Sequence, residues 1–170
     1  MYAEIFTALY QHNAWANRRV WDCIMQLSDD QFDQDIPHSI GSIHNQIVHI
    51  MGVEFWWFKF LTTGKIIFVT EADCANRAAI RARWDEAEAT IRDYVSKLTP
   101  AELAREVKPD FWDAEKPSLK VYEALFQVAN HSLDHRAQTL AALNSIGGPT
   151  TPQDYIFYKF DTAGVPWTND

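Results

Sequence analysis

Thiols are scarce: Cys23 and Cys74 are the two cysteines in 170 residues. That is too few for a disulfide framework, and a chain of this length can bury roughly 70% of its unfolded surface without covalent staples. A reduced, cytoplasmic setting is the matching expectation. Positive charge is also short. Lys and Arg number 15 against 23 Asp and Glu, a formal net charge of −8, with a pI near 5.1. This excludes roles that need a basic patch, on nucleic acid or on anionic lipid. Long apolar runs are missing. The richest stretch, residues 53–69, is broken by Glu54, Lys59, Gly64 and Lys65, and it falls short of the roughly 20 apolar residues of a membrane span. The first residues carry Glu4 and no uninterrupted apolar core, so no signal peptide is expected. There is no phosphate-binding loop, no G-x-G-x-x-G and no G-x-S-x-G, which removes nucleotide-fold and serine-hydrolase chemistry.

Glycine and proline are few and clustered. None lies between Met1 and Ile36, between Gly64 and Pro100, or between Ser118 and Ile146, and only Gly52 interrupts the stretch from Gly41 to Gly64. Each stretch has room for a helix of several turns, and apolar residues recur through them in steps of three and four. The first helix carries Ile5, Leu9, His12, Ala16, Val20, Cys23 and Leu27; the second carries Ile43, Ile47, Ile50, Met51, Phe55 and Phe58. The third runs through Ile80, Trp84, Ile91 and Val95 to Leu98, before Pro100; the fourth runs through Val121, Leu125, Val128, Thr139 and Leu143 to Gly147-Gly148-Pro149. Ser39 or Ser42 is placed to cap the second helix and Ser118 the fourth. The connections at residues 64–76 and 100–117 are long, as a crossover bundle requires. The tail holds Tyr155, Ile156, Phe157, Tyr158 and Phe160 and is expected to pack back onto the bundle. Of the run Phe55-Trp56-Trp57-Phe58, part is left to meet another subunit, because consecutive residues cannot all face inward on one helix.

The six histidines carry the chemical information. His131 and His135, four apart in NHSLDHRAQ, stand one above the other on a helix face and can offer two imidazoles to one ion. A solvated pair beside Asp134 and Arg136 is the alternative. The Glu that a zincin helix uses as general base is absent. His49 sits mid-helix among Val48, Ile50, Met51 and Val53, either bonded within the core or serving as a ligand. If the second and fourth helices are neighbours, His49, His131 and His135 meet inside the bundle, and three imidazoles with an open position describe a catalytic-type metal site. His12 lies on the apolar stripe of the first helix, either facing substrate or bonded to a core partner. His44 and His38 read as exposed and incidental. Cys23 reads as a small hydrophobe, and Cys74 has no base partner in view.

HNAWANRRV, SIHNQIVHIMGVEFWW, VANHSLDHRAQTLAAL and the tail GGPTTPQDYIFYKF, in this order, resemble the motifs of the DinB/YfiT-like superfamily across nearly the whole chain, with Ala137 where the family pattern has Gly. The resemblance implies an all-α four-helix bundle with long crossover connections, one domain over 1–170, often a homodimer. It implies a divalent metal, usually zinc or nickel, on His49, His131 and His135. Some relatives are thiol transferases or isomerases that use low-molecular-weight thiols; others are known for damage-inducible expression. The expected function is therefore thiol transfer to a small electrophilic substrate. Metal-dependent hydrolysis and a non-catalytic, stress-induced metal-binding bundle are the alternatives. Asn130, Asp134 and Gln138 are expected, by proximity, to orient the imidazoles.

Overall fold

A computed structural model describes residues 2–37 and 40–167; His38 and Ser39 lie outside them. The four glycine-poor stretches become the four long helices: α1 (Tyr2–Ile24), α3 (Ile43–Thr63), α4 (Arg77–Ser96) and α6 (Val121–Ser145). Shorter pieces fill the connections and the tail: α2 (Asp29–Asp33), a 3-10 turn (Glu71–Cys74), α5 (Pro100–Ala104), a two-stranded antiparallel pair of β1 (Glu106–Val107) and β2 (Leu119–Lys120), and α7 (Tyr155–Ala163). Among the described residues, no helix is long and apolar enough to cross a membrane.

Local chemistry fixes the helix ends. Ser42 Oγ accepts the Asn45 amide at 3.1 Å at the start of α3. Gly64 closes α3 in the left-handed region, with its amide on the Phe60 carbonyl at 2.8 Å, a conformation that carries no Cβ penalty only in glycine. Asn76 Oδ1 caps α4 through the Ala79 amide at 2.9 Å. Ser118 does not cap α6. Its hydroxyl instead donates to Glu106 Oε2 at 3.1 Å, while Lys120 takes the cap position and gives its amide to Glu123 Oε2 at 2.7 Å. The β pair explains this shift, because it holds residues 119–120 extended up to the first turn of the helix.

In the bundle, α1 and α3 each pack against both α4 and α6 and so stand on a diagonal. Helices α1 and α6 run in the same direction: Tyr10 donates to the Leu125 carbonyl at 2.8 Å near their starts, and Leu27 lies against Gly148 past their ends. Helix α3 runs against α6, with residue 46 near 135 and residue 49 near 131. The tail packs back as α7 against α1, with Trp15 Nε1 on Asp161 Oδ2 at 2.9 Å and the Arg19 guanidinium 4.4 Å from the Trp167 ring. Phe55, Trp57 and Phe58 are all buried, because α3 has bundle neighbours on two sides and Trp112 of the second long connection on another; Trp56 is half-buried.

The core has two apolar clusters. One gathers Val20, Ile24, Ile43, Ile47, Ile50, Ile80 and Trp84; the other gathers Phe6, Tyr10, Phe58, Ile91, Val121, Leu125 and Val128. A polar belt lies between them on every long helix. At its centre is Glu54, with no solvent exposure. Its carboxylate accepts from Asn13 Nδ2 at 2.7 Å, Asn17 Nδ2 at 3.0 Å, Trp84 Nε1 at 2.9 Å and Ser132 Oγ at 2.7 Å. Arg136, 1% exposed, donates Nη1 to Asn13 Oδ1 at 2.5 Å and Asn17 Oδ1 at 2.8 Å, and Nε to Gln153 Oε1 at 2.9 Å. Burial pulls its pKa down to about 10, with Glu54 opposing. Breaking such a pair from one side strands a buried charge, which costs about 3–5 kcal/mol. Arg136→Met should lower the urea-unfolding free energy by about that amount, and Glu54→Gln added to it should recover part of the loss; additive losses would show that the two groups are not coupled.

Candidate metal centre

The belt places the histidines. Ser132, Arg136 and Thr139 of α6 point inward, and neighbouring residues on a helix stand 100° apart. His131 and His135 therefore fall on the strip next to the belt, facing α3, where His49 occupies the rim one turn before the Glu54 level. Nε2 of His49 and Nε2 of His131 are 3.0 Å apart. Ring centroids are 4.8 Å apart for His49–His131, and 4.4 Å for both His49–His135 and His131–His135. One nitrogen from each ring falls within 4.8 Å of the others.

All three rings are half-buried. Burial first, then the His135 neighbour, lowers the pKa of His49. For His131, burial followed by the charges of His135 and His49 brings it down to about 4, with Asp134 opposing. Rings held neutral at ordinary pH present lone pairs, which is the form a metal takes. Two nitrogens on one tetrahedral ion, with bonds of ~2.0–2.1 Å, stand about 3.3–3.4 Å apart, close to the observed approach. The cluster is also under-supplied with protein partners: His131 Nδ1 and Gln46 Nε2 are buried without a hydrogen bond. The donor set therefore fits a divalent ion.

One hydrogen bond onto these rings comes from a residue that the sequence reading passed over. Gln46, fully buried, brings Oε1 to 3.4 Å from His135 Nδ1, which leaves Nε2 of that ring for a ligand. Its position three residues before His49, on the inner side of the same helix, was the available signal. Of the residues expected to orient the rings, Asn130 and Asp134 are exposed and Gln138 is half-buried, bonded to Asp134 at 3.0 Å; Asp134 reaches His131 through its charge. His12 is bonded to the Gln153 carbonyl at 2.8 Å and lies among Trp15, Tyr155 and Tyr158. His44, expected to be exposed, is half-buried. It joins Asp33 Oδ1 at 2.8 Å to the Cys74 carbonyl at 2.9 Å, tying the start of α3 to α2 and the 3-10 turn. Cys23 and Cys74 are buried, and burial raises both thiols.

Comparison with known proteins gives a consistent picture. A family model described as DinB family matches residues 1–168. Protein DinB of Bacillus subtilis (strain 168) is 26% identical over 165 residues, covering 91% of this chain and 93% of the relative. A crystal structure of a DinB-like protein from Bacillus subtilis superposes with a TM-score of 0.62 at 14% identity, covering 85% of this chain and 94% of the other; at that identity the likeness concerns the fold.

The lowered histidines set a sign for pH. As pH falls below the ordinary imidazole value of 6.5, the unfolded chain takes up protons first; the metal-free fold therefore loses stability down toward about 4, where His131 itself titrates. Melting temperature measured without metal should fall between pH 7 and pH 5, and His131→Asn should make that fall shallower. An unchanged slope would mean that His131 is not held neutral.

Proposed function

The chain belongs to the DinB family, and on that premise we propose that it is a divalent-metal enzyme that joins a low-molecular-weight thiol to a small electrophile, working as a homodimer. The observation that carries this reading is the composition of the cluster: among the described residues it holds three imidazoles and no carboxylate. Hydrolysis is helped by a base that takes a proton from water during attack. A thiol, with a pKa near 8.5, needs only a modest push to ionise and then attacks without further help. An ion held by neutral donors supplies that push as a Lewis acid and keeps its positive charge to attract the anion. Zinc or nickel suits imidazole donors.

The remaining work falls to the chain. Burial first, and the neighbouring ring charges second, favour the neutral form of His49 and His131. Gln46 accepts the Nδ1 proton of His135 and so directs the other nitrogen outward. The belt holds α6 in register with α3 through Ser132 and Glu54. Ile5, Tyr122, Phe126 and Leu133 are exposed along α1 and α6, which supports a second copy covering this face; sedimentation of the full chain measures it.

The test is to load the protein with zinc or nickel and screen several thiols against an electrophilic dye. Turnover should need both metal and thiol, and His131→Ala with His135→Ala should lower it about a hundredfold or more. Product formed without thiol would assign hydrolysis. Metal that raises the melting temperature, with no turnover for any thiol, would assign a non-catalytic bundle.

A further inference from the structure

The face of α3 that carries His49 continues beyond it. Seven residues, or two turns, bring Trp56 onto the same strip about 10.5 Å along the axis. Gly52 lies between. A Cβ there would meet no heavy atom within 4 Å, and its φ is not in the left-handed region. Neither close packing nor backbone strain accounts for a glycine in mid-helix. Its effect is to leave the surface between His49 and Trp56 clear. The antiparallel register with α6 sets exposed Gln127 near the level of Gly52 and buried Ala124 near the level of Trp56.

At the far end, three rings meet. Phe68, from the connection before α4, and Phe111, from the connection before α6, come to 5.9 Å and 5.8 Å from Trp56 and 5.7 Å from each other. Yet Phe68 is 57% exposed and Phe111 54% exposed. Two long connections thus bring their phenylalanines together at the surface, not into the core. Behind them Trp56 stacks on buried Trp57 at 4.4 Å, and Trp57 meets Trp112 at 6.2 Å, so the ledge has a firm backing. Two cavities elsewhere, about 450 Å³ between α1 and α4 and about 520 Å³ beside α5, include none of these rings.

We infer that Trp56, Phe68 and Phe111 form an apolar subsite for the far end of the substrate held at the histidines. The inference rests on the metal-dependent reading above and names its substrate class: a molecule with an aryl or branched hydrocarbon group about 10 Å from its reacting atom. The open strip over Gly52 accommodates the linker, and flat exposed rings favour an aromatic end.

Cobalt(II) can serve as the metal probe, because its visible absorption changes when a thiol arrives. Two thiols are compared: 2-phenylethanethiol, too short to reach the ledge, and 6-phenylhexane-1-thiol, long enough. In Phe68→Ser/Phe111→Ser, cobalt affinity should be unchanged, the short thiol should bind as in the wild type, and the long thiol should bind about tenfold more weakly. Gly52→Leu, which fills the strip from a different residue, should cause the same selective loss. Equal affinity of the long thiol in wild type and both variants, or equal weakening of both thiols, would overturn the subsite while leaving the metal reading intact. Failure of the wild type to bind cobalt would sink the metal reading and the subsite with it. A dimer that dissociates in the Phe68→Ser/Phe111→Ser protein would assign the ledge to a second copy of the chain and overturn the proposal.

Discussion

A carboxylate and a guanidinium sit in the middle of this bundle without touching, and two asparagines stand between them. Asn13 and Asn17 each turn the amide nitrogen to Glu54 and the oxygen to Arg136. Both ends of each asparagine are thus specified by charge, so neither can flip without facing like against like. A lone ionised group so deep would be prohibitively costly. Here the carboxylate, both asparagine amides and the Nε and Nη1 of the guanidinium are all bonded, and the partners lie on four helices once Trp84 and Ser132 are counted. Sliding any long helix by one residue would orphan several of these bonds together, while the apolar clusters on either side would tolerate the slide better. Burial holds the bundle together; the belt chooses its register.

Register matters because the histidines depend on it and contribute little to it. His49 belongs to one helix and the other two to a second, and their meeting requires residue 49 to stand level with 131 and 135. The Ser132 to Glu54 bond sits one residue from His131 and five from His49, so it fixes that level from inside the bundle. Gln46 repeats the constraint from the other side, through His135. The ring centroids stand 4.4–4.8 Å apart, and burial, with the neighbouring rings second, lowers the pKa values of His49 and His131.

The helices were legible because glycine and proline punctuate this chain so cleanly, and the i, i+4 pair His131/His135 was legible because helical spacing places such residues side by side. The convergence with His49 was conditional on α3 and α6 being neighbours, which periodicity cannot show: it tells which face of a helix is inward and not which helix lies opposite. For the same reason Glu54 looked like a break in an apolar run, when it is the acceptor around which Asn13, Asn17, Trp84 and Ser132 gather. Asp134 and Gln138 looked like partners of the imidazoles by sequence proximity. They bond to each other, and Asp134 acts on His131 through its charge. The short elements α2, α5, α7 and the β pair were not visible in the pattern, since helices of one or two turns and two-residue strands are stabilised by caps and docking and not by periodicity. The tail was the partial exception, because five large apolar or aromatic residues have to be covered somewhere.

The separation of belt from metal site bears on what the ion is for. In a small zinc domain the ligands are the core, and without metal there is no fold. Here the two apolar clusters and the belt satisfy themselves, and the three imidazoles lie at their edge, half-buried and open toward Gly52. Binding an ion there would add stability by mass action, with the logarithm of its concentration over its dissociation constant, on top of the contacts that already join the long helices. Among the described residues the cluster offers three imidazoles, and three protein donors on a tetrahedral ion would leave one coordination position open.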